Sequence, residues 1–199
     1  MKLHLLAPLL SCALLTQCYP PETVQEKAKD SYMVGYETQL KDDGSFRKNG
    51  YWDGDSLKGK AQIRISIDEQ LAYFYKGDQL AGISPVSTGM SGHDTPKGNF
   101  KITQKRAKHN SSLYGEIIDR KTKQVIISDA DSRLDKPKAG QVYKGAPMNN
   151  FMRFNGAVGM HTGFIPGYRA SHGCVRLPDH MAKIFFKHAP LGTPVKVDH

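Results

Sequence analysis

Ile63, Ile65 and Ile67 alternate with Arg64 and Ser66. This period-two pattern constrains the chain more than any other feature, because it fits a strand with one buried face and does not fit a helix. Leu71–Tyr75 follows as a second strand rich in aromatics. Lys76-Gly77-Asp78 then reads as a turn, and Gln79–Ser87 as a third strand. Gly89–Gly98, with three glycines and Pro96, reads as a loop. Phe100–Thr103 is a short strand, and Gly115–Ile118 with Gln124–Ser128 forms a hairpin around 119–123. Asp129–Gly145 is polar and is expected to be a long surface excursion, whereas Met148–Phe154 and Ala157–His161 are apolar enough to be buried. One helix is expected at Asp179–His188, where Met181, Ile184, Phe185 and His188 share a face and Pro190 provides the stop. Thr193–Val197 is a closing strand. The class is mainly β, in a single domain over 61–199.

The N-terminus reads as an address rather than a fold. Lys2 precedes a mostly apolar run, Leu3–Leu15, interrupted by His4 and Pro8. That length suits a secretory signal and is too short for a span. The run closes on Leu14-Leu15-Thr16-Gln17-Cys18, similar to a bacterial lipoprotein signal that would lipidate Cys18, although Gln17 stands where that signal carries a small residue. Ordinary cleavage nearby and an uncleaved anchor are the other readings, and all three export the chain. Residues 1–18 are assigned to this signal, and 19–60 to a polar tether or docked arm rich in Gly, Asp, Lys and Asn. A coil of ~40 residues reaches on the order of 35 Å, so an anchored domain could work away from the membrane surface. Tyr51-Trp52 could dock on the domain. The net charge is +9, and +8 once the leader with Lys2 is removed, which suits an anionic partner or simply a solvated surface.

The chemistry concentrates in His161–Arg176, where a lone cysteine, Cys174, sits in a Gly-rich loop with His161 and His172. A free thiol has a pKa of about 8.5, so little of it is thiolate at neutral pH. A nearby imidazole can take its proton and later protonate a leaving amine. The flanking glycines let backbone N–H groups approach an oxyanion. An exported chain that keeps one unpaired thiol runs a risk of oxidation, which argues against an inert Cys174. Zinc hydrolysis through His161, His172, Cys174 and His180 is a weaker reading: His172 and Cys174 are two residues apart, and no acidic general base is evident.

His161-Thr162-Gly163 followed by Ser171-His172-Gly173-Cys174-Val175-Arg176-Leu177 resembles the signature of the L,D-transpeptidase catalytic domain (YkuD-type). Ile63–Tyr75 resembles the opening hairpin of that domain, and Val86–Gly89 with Thr95-Pro96-Lys97-Gly98-Asn99-Phe100 resembles its threonine-proline element. Met148 and Phe151–Phe154 resemble the strand before the histidine. The resemblance covers roughly 60–197 and implies a β-sandwich or barrel of mixed sheets with one or two short helices. It implies that Cys174 is the nucleophile and that His161 is the base and acid, its ring oriented by a backbone carbonyl near Thr162. His172 and Gly173 would shape the loop, with N–H groups around Gly173 and Cys174 as the oxyanion hole. Ser171 would be a loop hydrogen-bonder, and Arg176 would hold the loop or meet an anionic group of the substrate. Tyr168, Arg169 and Met152 are expected to line the cleft, with Thr162 and Tyr168 counted as substrate-binding. His93, His109, His180, His188 and His199 are expected at the surface or on the helix, and Lys105–His109 as a solvated basic run.

The implied reaction is acyl transfer on peptidoglycan stem peptides in the periplasm or cell envelope, with no cofactor, no metal and no nucleic acid. The acceptor would be a second stem, a lipoprotein or a free D-amino acid. Hydrolysis as an L,D-carboxypeptidase, or wall binding without catalysis, are the alternatives.

Overall fold

The computed structural model describes residues 50–199. The leader at 1–18, with Cys12 and the lipidation candidate Cys18, and the arm over 19–49 lie outside the described residues.

Strands β1 (Tyr51–Trp52), β2 (Ala61–Ser66), β3 (Leu71–Lys76), β4 (Gln79–Pro85), β5 (Gly98–Lys101) and β13 (Pro194–Asp198) form a six-stranded sheet, ordered β1-β4-β3-β2-β13-β5. A four-stranded sheet, ordered β12-β11-β10-β6, comprises β6 (Gln104–Arg106), β10 (Phe151–Asn155), β11 (Val158–Thr162) and β12 (Val175–Leu177). The third sheet, ordered β8-β7-β9, comprises β7 (Asn110–Asp119), β8 (Val125–Asp131) and β9 (Gln141–Pro147). Helix α1 spans Asp179–His188. The two larger sheets are mixed, since β13 runs parallel to β2 and β11 parallel to β12, while the other ladders, including both of the third sheet, are antiparallel. The mainly β class expected from the sequence is the class observed.

One core joins the two larger sheets and the helix. Ile63, Ile65, Phe74, Val195 and Val197 come from the six-stranded sheet, Met152, Phe154, Met160, Val175 and Leu177 from the four-stranded one, and Met181, Ala182 and Phe185 from α1. The isoleucine alternation that opens the domain is the inner face of β2: Ile63 and Ile65 are buried, and Arg64 reaches outward to Asp198 at 3.0 Å. Phe185 meets Phe74 edge-on at 5.1 Å, and Trp52 meets Phe74 at 5.3 Å and His188 at 4.7 Å. Tyr51 and Trp52 therefore lie on the domain, paired with Ile83 and Gly82 of β4.

Two expectations are corrected. The strand expected at Phe100–Thr103 ends at Lys101 and a second begins at Gln104, because the chain changes sheets at Ile102 and Thr103: the Ile102 N–H donates to the Thr193 carbonyl, and the Thr103 N–H to the Arg153 carbonyl. The polar stretch Asp129–Gly145 is not one excursion. It finishes β8 and returns as β9 against β7, in a small sheet whose strands are mostly half-exposed and so carry little apolar signal.

Phe185→Ala removes a fully buried ring at the junction of helix and sheet. Urea unfolding is expected to show a loss of about 3–5 kcal/mol, and a loss under about 1 kcal/mol would show that α1 does not carry this core.

Candidate active site

His161 and Cys174 are brought together by two parallel strands. The register sets Met160 beside Val175 and His161 beside Arg176. Met160, Val175 and Leu177 point into the core. Alternation along a strand then turns His161, Cys174 and Arg176 to the other side, where all three line one cleft of about 710 Å³. Ser171, His172 and Thr162 line it too.

The loop before Cys174 is held by its own backbone and by a short list of buried hydroxyls. The Ser171 hydroxyl donates to the Cys174 carbonyl and accepts the Gly173 N–H at 3.1 Å. Gly173 has φ 109°, a conformation that favours glycine. Its carbonyl accepts the Thr95 hydroxyl at 2.9 Å, and the same hydroxyl accepts the Gly89 N–H at 2.9 Å. A side chain at Gly89 would collide with the His93 carbonyl, its Cβ only 2.0 Å away. Ser87 and Arg176 exchange two backbone bonds of 3.0 Å, and the Ser171 N–H donates to Thr88. Gln70 completes the support, donating to the Thr88 hydroxyl at 2.7 Å and accepting the Thr88 N–H at 3.0 Å.

The His161 ring is buried and fixed, with Nδ1 2.8 Å from the Thr162 carbonyl. A carbonyl only accepts, so Nδ1 carries the proton and Nε2 is the basic nitrogen of the neutral ring. Burial pulls the imidazole down to about 4, against the lift from that carbonyl. Burial pushes the Cys174 thiol up, partly opposed by the Gly159 N–H and then by Arg153 and Arg176.

The other expected residues divide. Thr162 ties the end of β11 in place, accepting from Asn150 Nδ2 at 3.0 Å and donating to Asp179 Oδ1 at 3.2 Å. His172 stacks on Tyr114 of β7 at 4.3 Å, meets His93 edge-on at 4.8 Å and lies 3.5 Å from Asp129. Arg176 is half-buried, and its stem crosses Gly163 so closely that a Cβ there would sit 2.8 Å from Arg176 Cγ. The cleft's lining does not include Tyr168, Arg169 or Met152. Tyr168 is 64% exposed and contributes only its carbonyl, which accepts the Ser87 hydroxyl at 2.7 Å. Met152 faces the core because alternation on β10 turns it there, and Arg169 is occupied by the Gly89 carbonyl and Asp94.

Several cleft residues were not expected. Arg153 of β10 donates to Gln104 at 2.8 Å and to the Gly156 carbonyl at 2.6 Å, and lies over Phe151 at 5.1 Å. A cation in the middle of Phe-Met-Arg-Phe was the available signal. His109, expected on a solvated run, packs on Phe151 at 4.4 Å and lines the cleft, and His93 lies against His172. Lys105 of the same run donates to the Phe186 carbonyl at 2.5 Å. Tyr114 and Phe164 also line the cleft and carried no local signal. Among the described residues, no group of three or more His, Cys, Asp or Glu side chains is placed to hold a metal ion.

The model of the L,D-transpeptidase catalytic domain matches residues 60–197. The chain is 24% identical over 147 residues to the probable L,D-transpeptidase ErfK/SrfK of Salmonella typhimurium, covering 68% of this chain and 43% of that protein. It is 28% identical over 137 residues to the probable L,D-transpeptidase YbiS of Escherichia coli, covering 66% and 42%. The matches thus span less than half the length of either relative. Its fold is similar to that of an L,D-transpeptidase from Mycobacterium smegmatis, with a TM-score of 0.52 at 18% identity over 70% of this chain and 59% of that one. Over residues 60–197, the chain belongs to the L,D-transpeptidase catalytic domain family.

Proposed function

We propose that the chain is a cysteine acyltransferase that acts on peptidoglycan stem peptides. The observation that carries this reading is the placement of Cys174 and of a His161 with a fixed tautomer on the same side of two parallel strands, in one cleft. Cys174 Sγ attacks the carbonyl at the L-centre of diaminopimelate in a tetrapeptide stem while His161 Nε2 takes the thiol proton. The oxyanion is met by the Cys174 N–H, since the Gly173 N–H is already given to Ser171. His161 returns the proton to the departing D-alanine amine and a thioester remains. An incoming amine from a second stem, a lipoprotein or a D-amino acid attacks the thioester, its proton passing through His161 to the released thiolate. The leader over 1–18 exports the chain and Cys18 anchors it in the cell envelope, with 19–60 as the arm and 61–199 as the catalytic domain.

Both partners rest neutral in this reading, because burial disfavours the imidazolium and the thiolate alike. The proton therefore moves as the nucleophile attacks. A group whose charged form is a thiolate, and whose pKa is raised, reacts with iodoacetamide faster as pH rises past the ordinary thiol range. The alkylation rate of Cys174 is expected to climb in that way with no plateau between about pH 5 and 7. A plateau there would mean a preformed thiolate–imidazolium pair and would overturn the neutral resting state.

Mass spectrometry after incubation with meropenem is expected to show an adduct on the wild type that is absent from Cys174→Ala. Incubation with a disaccharide-tetrapeptide should then yield a dimer or an exchanged D-amino acid. A tripeptide as the sole product would assign hydrolysis, and no product or adduct from folded protein would assign wall binding alone.

Arg153 and Arg176 are the arginines that line the cleft. Carboxylates flank the scissile bond on the D-alanine and on the D-centre of diaminopimelate, and a guanidinium fork suits them. Arg153→Met is expected to raise KM for the tetrapeptide by about tenfold or more with a smaller change in kcat, the loss of one charged hydrogen bond. An unchanged KM would remove Arg153 from substrate binding.

A further inference from the structure

Three residues other than glycine take a positive φ among the described residues: Gln70 at 55°, Lys123 at 62° and Asn150 at 55°. Lys123 lies in an exposed turn, and asparagine tolerates this backbone. Gln70 is the case that needs a reason, because its Cβ is crowded in the left-handed region and a glycine would sit there more easily. It closes the turn 67–70 between β2 and β3, and it does not line the cleft. Its side chain supplies the reason. Nε2 donates to the Ile67 carbonyl at 2.6 Å and to the Thr88 hydroxyl at 2.7 Å, while Oε1 accepts the Thr88 N–H at 3.0 Å. The Gln70 main-chain carbonyl accepts the Val86 N–H at 2.9 Å. A glutamate would set an oxygen against the Ile67 carbonyl, and an asparagine is one methylene too short to span the same partners. The turn therefore uses a carboxamide of this length, in a backbone that glutamine does not favour.

Thr88 is fully buried and stands between this turn and the loop of the nucleophile. Its carbonyl accepts the N–H groups of both Ala170 and Ser171 at 3.1 Å. The Ser171 hydroxyl in turn holds the Gly173 N–H and the Cys174 carbonyl. One line of hydrogen bonds thus runs from the Gln70 carboxamide through Thr88 and Ser171 to the backbone of Gly173 and Cys174. We propose that Gln70 is a positioning residue for the reaction: by clamping Thr88 it fixes the Cys174 loop, and with it the Cys174 Sγ and N–H, against His161. The effect on rate rests on the acyltransferase reading, and the clamp itself does not. Gln70 reaches Cys174 only through Thr88 and Ser171. A loop released from the clamp would still fold and bind the stem. The nucleophile and the oxyanion donor would lose alignment, which lowers turnover rather than binding.

Gln70→Gly removes the carboxamide and relieves the left-handed backbone, and Gln70→Asn keeps a tolerant residue that is too short. Both are expected to fold, with melting temperatures within about 5 °C of wild type. Hydrogen exchange of the full chain should show the Ala170 and Ser171 amides exchanging about tenfold faster or more, with the core amides of β10 unchanged. For the disaccharide-tetrapeptide, kcat should fall by about 10- to 100-fold with KM within about twofold of wild type. In a Ser171→Ala background, Gln70→Gly should lower kcat by less than about threefold more, because the two residues act in one line. A residue that only closed the hairpin would leave loop exchange and kcat as they are. Wild-type loop exchange in a folded variant, an unchanged kcat in an active enzyme, full additivity with Ser171→Ala, or loss of the fold in both variants would each overturn the proposal. Exchange is read without turnover, so it decides the clamp even where the wild type is inactive, and that inactivity would count against the acyltransferase reading alone.

Discussion

The parallel register between β11 and β12 is the constraint on which the site depends. It is an internal pairing of two short strands, and a slip of one residue would exchange core side chains for cleft side chains. Met160, Val175 and Leu177 prevent that slip because they are fully buried. The same hydrophobic contacts that seal the sandwich therefore aim His161, Cys174 and Arg176 at one cleft. Stability and site geometry here share one cause.

The chain between these strands has to turn tightly beside the core, which leaves polar backbone away from water. Such groups are costly unless paired. Thr95, Ser87, Ser171, Thr88 and Gln70 supply the pairing, most of it to backbone of the loop. Thr95 is the clearest case, since one hydroxyl links the Gly89 turn to the Gly173 carbonyl. This explains in physical terms why a threonine-proline element, far from the cysteine in sequence, belongs to the same motif set. Burial in the same region pushes both the His161 imidazole and the Cys174 thiol toward their neutral forms.

Much was legible in the chain itself. The alternation at Ile63–Ile67 located the inner strand, and the helix at Asp179–His188 has the bounds that its apolar face and flanking prolines required. The orientation of His161 by the Thr162 carbonyl and the hydrogen-bonding of Ser171 within its loop were also expected from the motif. Local patterns failed where a residue's role is set by a distant partner. Arg153 faces the cleft because β10 lies between β6 and β11, and His93 and His109 reach the site because loops from elsewhere fold over it. Tyr168 sits inside the motif and yet points to solvent, because Ser87 holds only its carbonyl.

The sequence by itself determined the strand-rich class, the helix at Asp179–His188 and the family, because those depend on alternation, on turn residues and on motif spacing that are local along the chain. Tertiary structure alone decided the small third sheet and the cleft that Arg153 and Tyr114 help to line. Each of these arises where segments far apart in sequence pair or fail to pair, and no local pattern encodes which backbone will lie beside which.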